Sequence, residues 1–136
     1  MIHETEIRVR YAETDKMGFV YYGNYATYFE VGRVEFLRSQ GYSYKELEEK
    51  GIMMPVTDLN IKYKRPAKYD DLLIIKTSIK EIPNKRVVFN QDVYNENNKL
   101  QTIGSVELAF IDSTTMRPID CPSNLKTLFN LLLNND

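Results

Sequence analysis

Between residues 54 and 111 the apolar positions recur with a period of two, in four successive runs, and this pattern narrows the fold more than any other feature of the chain. The runs are 54–64, 72–82, 86–95 and 100–111, and in the first of them Leu59, Ile61 and Tyr63 share one face. A fifth alternating run at 5–11 puts Ile7, Val9 and Tyr11 on one side. PNK and ENNK, between the last three runs, carry turn residues suited to hairpins. Ahead of this block the period is helical. In NYATYFEVGRVEFLRSQG, residues 24–41, Tyr25, Phe29, Gly32 and Phe36 repeat along one stripe. Asn24 is placed to cap the start of that helix, and Gly41 to close its end in the left-handed region.

A shorter helix is predicted over SYKELEEKG, where Ser43 and Glu46 form a capping box and Gly51 closes the turn. A tail helix over 123–134 begins at a Ser123 cap and carries Leu125, Leu128, Phe129 and Leu132. Antiparallel strands with segregated helices make an α+β fold. The long helix can bury its stripe only against the inner face of a curved sheet. Gly32 in mid-helix costs about 1 kcal/mol relative to alanine, so close approach of helix to sheet is expected there.

The chain of 136 residues suits one domain, 1–136. Its 43% apolar and 27% charged content argues against disorder. A net charge of −1 gives no basic excess for nucleic acid. No apolar run is long enough to span a bilayer, and the charged, alternating N-terminus is unlike a signal peptide. With Cys121 alone, neither an internal disulfide nor a cysteine-rich zinc site can form, which fits a cytoplasmic address. HExxH, CxxC and histidine clusters are missing, and the sole histidine, His3, lies near the terminus, a poor position for a serine triad.

Residues 13–25, ETDKMGFVYYGNY, crowd a carboxylate, two glycines and three tyrosines in front of the long helix. YAETDKMGFVYYGNYATYFEVGRVEFLRSQG resembles the signature segment of the 4-hydroxybenzoyl-CoA thioesterase family of hotdog-fold acyl-CoA thioesterases, and YKRPAKYDDLLIIKTSIKE resembles a second stretch of it. The resemblance implies a five-stranded antiparallel sheet wrapped around one long central helix. It also implies hydrolysis of an acyl-CoA to a carboxylic acid and free CoA. CoA would be part of the substrate, and no metal or redox cofactor is called for.

The resemblance makes Asp15 the catalytic carboxylate, as nucleophile or as general base, and the backbone N–H of Tyr22 the donor to the thioester oxygen. Many bacterial members carry histidine where this chain has Tyr22, and the aromatic-acyl type carries tyrosine. Gly18, Val20, Tyr21, Asn24 and Tyr25 are candidates for contact with substrate. For the CoA phosphates two basic clusters qualify: Lys62, Lys64, Arg65 and Lys68 at the proline-alanine turn, and Lys85 with Arg86 at the next hairpin. Lys85 is the family's positional match.

Bland readings stand beside these. TDKMG is good turn chemistry in its own right, the tyrosines suit half-buried packing, and lysines border many strand edges. Glu30 is a reserve carboxylate, because a related thioesterase group uses a helix-borne glutamate. The family also implies sheets paired into a homodimer or homotetramer with active sites between subunits. An acyl-acyl-carrier-protein thioesterase and a non-catalytic acyl-CoA or acyl-carrier-protein binding module are the rival readings.

Overall fold

In the computed structural model, residues 1–134 are described, so the last two positions of the expected 1–136 domain lie outside the described residues. The strands are β1 His3–Arg8, β2 Ile52–Met53, β3 Val56–Tyr63, β4 Leu72–Ser78, β5 Arg86–Asn95, β6 Leu100–Ala109 and β7 Ile111–Asp112. The helices are α1 Asn24–Ser39, α2 Tyr44–Glu49 and α3 Ser123–Asn134. Five strands form an antiparallel sheet in the order β1-β4-β5-β6-β3, and β2 pairs with β7 apart from it. Among the described residues no helix is long and apolar enough to cross a membrane.

Alternation in sequence becomes alternation in burial. Along β5, Val87, Phe89, Gln91 and Val93 are fully buried, while Val88 on the opposite face is exposed. Helix α1 covers the buried face with the predicted stripe: Tyr25, Phe29, Gly32 and Phe36 are all buried. Phe36 meets Phe89 edge-on at 6.0 Å, and Phe89 meets Phe129 of α3 at 6.2 Å, so both helices sit on the same face of the sheet. The tail helix therefore covers core, with Leu125 and Phe129 fully buried.

The close approach expected at Gly32 is present. A Cβ there would lie 2.8 Å from Gln91 Nε2 and 2.9 Å from both Ile75 Cγ2 and Thr77 Oγ1. Gln91 is fully buried and fully used, donating to the Phe29 carbonyl at 2.8 Å and to Thr77 Oγ1 at 3.1 Å. It also accepts from the buried Arg33 guanidinium at 3.1 Å. The far end of α1 closes as expected: Gly41 has φ +85°, Gly41 N donates to Arg38 O and Tyr42 N to Leu37 O. Ser43 accepts from Glu46 N at 3.3 Å and starts α2.

Several expectations are corrected. Strand β1 ends at Arg8, and residues 11–13 turn into a short 3-10 segment, so Tyr11 leaves the buried face and is 77% exposed. Asn24 does not cap α1: Gly23 holds that position, without a side-chain bond, and Asn24 is the first helical residue. Ser123 is likewise inside α3. The link between β4 and β5 is longer than PNK, running from 79 to 85. Edge strand β3 buries neither face well: Leu59 is 42% and Tyr63 50% exposed, on a strand that ends the sheet with β6 as its one neighbour in it.

Candidate active site

The segment between the 3-10 turn and α1 is a miniature hairpin. Thr14 bridges Val20, Asp15 N donates to Phe19 O at 2.7 Å, and Tyr21 N donates to Glu13 O at 2.9 Å. At its tip Gly18, with φ +84°, donates its N–H to Asp15 O at 3.0 Å. The hairpin is pinned to the loop after β3, since Val20 N donates to Ala67 O at 2.8 Å and Phe19 bridges Lys68.

Asp15 sits at the base of this turn and is partly buried. Its Oδ1 accepts from Met17 N at 2.9 Å and from Phe19 N at 3.2 Å. The turn reading of TDKMG is therefore correct as local geometry. Both bonds fall on Oδ1, and among the described residues Oδ2 takes none. One carboxylate oxygen is thus fixed by main chain while the other faces the surroundings.

Asp15 lines a cleft of about 340 Å³ together with Phe19, Val20, Tyr22, Tyr25, Tyr63 and the cationic Lys64 and Arg65. The wall is aromatic: Tyr25 packs edge-on against Tyr63 at 5.3 Å and against Tyr28 at 5.7 Å. Burial pushes the Tyr25 phenol up, so it remains protonated at neutral pH. Tyr63 OH donates to Tyr22 O at 3.2 Å and holds the chain just before the helix. Among the described residues, neither Tyr22 N–H nor Gly23 N–H has a hydrogen-bond acceptor, while Tyr21 N and Asn24 N, which flank the pair, are both engaged. Tyr22, just ahead of the positive end of α1, thus lines the same cleft as Asp15.

The other sequence-predicted residues divide. Val20 and Tyr25 are buried walls of the cleft, and Arg65 with Lys64 brings positive charge to its rim. Tyr21 lies outside it, 47% exposed and tilted at 45° against Tyr22 with centroids 4.6 Å apart. Gly18 lines a neighbouring cleft that shares Asp15 and includes Tyr11, Lys16 and Tyr69. Asn24 is committed to the fold, donating from Nδ2 to Glu13 O at 2.7 Å. Lys85 pairs with Asp120 at 3.6 Å and Arg86 with Glu107 at 3.1 Å, and Arg86 lines a separate cleft with Ile82 and Val88. Glu30 also lies elsewhere, in a cleft with Arg33 and Tyr44.

Glu13 escaped the sequence reading. It is 8% exposed, and its carboxylate accepts from Arg10 N at 2.9 Å, Arg10 Nε at 3.1 Å, Arg10 Nη2 at 2.7 Å and Tyr28 OH at 2.9 Å. Burial works to raise its pKa, but the bonds from Arg10 and Tyr28 outweigh burial and hold it below the ordinary carboxylate range. Burial and the Glu13 charge push the Tyr28 phenol up. The Arg10 pairing three residues away was available in the sequence as a signal; the contact with Tyr28, fifteen residues on, was not.

The thioesterase superfamily model matches residues 17–102. YneP of Bacillus subtilis is 36% identical over 118 residues, covering 87% of this chain and 86% of that protein. The acyl-CoA thioesterase YbgC of Haemophilus influenzae is 33% identical over 127 residues, 93% of each chain. Among solved structures, a DHNA-CoA thioesterase from Staphylococcus aureus superposes with a TM-score of 0.90 at 40% identity, covering 98% of this chain and 93% of that one.

Proposed function

The chain belongs to the thioesterase superfamily, within its hotdog-fold acyl-CoA branch, and from that premise we propose that it hydrolyses an acyl-CoA thioester in the Asp15 cleft. The observation that carries the proposal is that Asp15 and Tyr22 line one cleft, with the Tyr22 N–H unengaged among the described residues. A thioester carbonyl placed between them would have its oxygen polarised by the helix end and its carbon open to the carboxylate side. Asp15 either adds to that carbon, giving an anhydride that water resolves, or takes a proton from an attacking water. In both routes the C–S bond breaks, CoA leaves as the thiolate and is protonated, and the acid is released. The chemistry calls on no metal or redox group, and CoA enters as part of the substrate.

In this reading α1 is the central helix around which the sheet curves. The free edge of β3, with Val56, Leu59 and Tyr63 exposed, supports pairing of two sheets across that edge into a homodimer or a larger homo-oligomer. Lys64 and Arg65, which share the cleft with Asp15, would contact the CoA phosphates within one protomer, and Lys85 and Arg86 would serve the CoA of the paired subunit. The tyrosine-lined wall favours an aromatic acyl group, in keeping with the named substrate of the Staphylococcus aureus structure.

The test is a panel of acyl-CoA esters, aliphatic from short to long and aromatic, with matching acyl-carrier-protein esters, followed by release of free thiol. Turnover with preference for an aromatic acyl group is expected. Binding without turnover of any ester would mean a sensor rather than a hydrolase, and turnover only of acyl-carrier-protein esters would replace CoA as the carrier.

A further inference from the structure

We propose that Glu13 is a positioning residue for the hydrolysis, setting the separation between the Asp15 carboxylate and the Tyr22 N–H. The proposal rests on the reading of those two groups given above. They belong to opposite arms of one hairpin, so their spacing is decided wherever the arms are tied together.

On the Tyr22 side the ties run through residue 13. Its carbonyl accepts from Tyr21 N at 2.9 Å and from Asn24 Nδ2 at 2.7 Å, the residues that bracket Tyr22 and Gly23. Two positions later along the same arm comes Asp15, locked by the Thr14–Val20 bridge and by its own bond to Phe19. The Glu13 side chain then fixes this backbone in space. Tyr28 OH anchors it to the second turn of α1, and three donors of Arg10 anchor it to the chain leaving β1. Rotation of the peptide at residue 13 would break both bonds to the Tyr21–Asn24 arm at once.

Among the described residues Glu13 is the one buried carboxylate. A buried charge with its partners is a weak source of net stability compared with apolar packing of the same volume. What it supplies is directional geometry: four donors converge on two oxygens, and few side-chain positions satisfy them. A catalytic pair on a loop needs that kind of restraint, since a displacement of about 1 Å can cost on the order of 100-fold in rate.

The experiment compares Glu13→Ala, Glu13→Gln and Tyr28→Phe with wild type on one acyl-CoA that wild type hydrolyses, reading kcat, KM, inhibition by free CoA and thermal stability. Asp15→Asn runs alongside. In Glu13→Ala, kcat should fall by about 10- to 100-fold while KM and CoA inhibition stay within about twofold. Glu13→Gln keeps an acceptor for Tyr28 OH and Arg10 N and should recover kcat to within about threefold of wild type. Tyr28→Phe leaves the ring in place and should lower kcat by about threefold at unchanged KM. Wild-type kcat in a folded Glu13→Ala protein, or a rise in KM alone, would overturn the proposal. If Glu13→Ala does not fold, unchanged kcat in Tyr28→Phe overturns it instead. Should Asp15→Asn keep the full rate, the site reading itself fails; an inactive Asp15→Asn beside fully active Glu13 variants removes only the positioning role.

Discussion

Gly104→Ala tests whether α1 rests on the sheet as closely as the structure requires. Gly104 is buried on β6, opposite Gln91 of β5, directly beneath the Phe29 ring. A Cβ there would lie 2.5 Å from Phe29 Cζ, 2.7 Å from Phe29 Cε2 and 2.6 Å from the Gln91 carbonyl oxygen. All three distances are shorter than atoms tolerate. The ring is fully buried on a helix and the oxygen belongs to a strand, so neither yields without moving its element. Overpacking of this kind costs about 1–3 kcal/mol or more. Removing a glycine from strand interior returns roughly 0.5–1 kcal/mol. The net expectation is a loss of about 1–2 kcal/mol, which for a chain of this size lowers Tm by about 4–8 °C. Thermal unfolding followed by circular dichroism measures it. A double-mutant cycle sharpens the cause: Phe29→Leu relieves the ring contact but not the carbonyl contact, so it should recover about 1 kcal/mol of the Gly104→Ala loss. Activity per folded molecule should persist well below Tm, because Gly104 does not line the Asp15 cleft. A Tm within about 1 °C of wild type, or strict additivity within about 0.5 kcal/mol, would refute the packing argument.

Three further expectations follow. Glu13 has a folded-state pKa below its ordinary value of 4.5, so its contribution to stability is fully present above that value and is lost as pH falls through the lower folded value. Wild type should therefore exceed Glu13→Gln in stability at neutral pH, with the gap closing in acid; a gap that widened in acid would reverse the assigned sign. Burial pushes the Cys121 thiol up to about 11, so a thiol reagent at pH 8 should label it slowly in the native protein and fully in urea, and fast native labelling would contradict its burial. Lys85→Ala should raise KM for acyl-CoA at nearly constant kcat if the paired subunit's nucleotide lies there, whereas an unchanged KM would leave Lys64 and Arg65 as the phosphate contacts.

What could be read from the sequence is what local chemistry decides. The Phe29–Gly32–Phe36 stripe, the Gly41 closure and the Ser43 cap depend on residues within a few positions, and each stands in the structure. Asn24 shows how a local rule loses. Its side chain suits a cap, but the carbonyl of Glu13, eleven residues earlier, takes it instead. Edge strand β3 shows a second limit. Leu59, Ile61 and Tyr63 alternate as a half-buried strand should, yet a period of two carries no information about which surface covers the apolar face. At the site, the 13–25 segment marked Asp15 and Tyr22 together with the cleft walls Val20 and Tyr25. Tyr63 joins that cleft from a strand forty-eight residues beyond Asp15 and Glu13 is held through Tyr28, contacts that only the tertiary fold creates.

The most direct measurement is steady-state hydrolysis by Asp15→Asn, an isosteric change that keeps the Oδ1 acceptor for Met17 N and Phe19 N. With the charge gone, kcat on the preferred acyl-CoA should drop by at least about 100-fold while Tm and affinity for free CoA stay near wild type. Hydrolysis at the wild-type rate would show that this carboxylate only closes a turn, and that thioester cleavage happens elsewhere in the molecule.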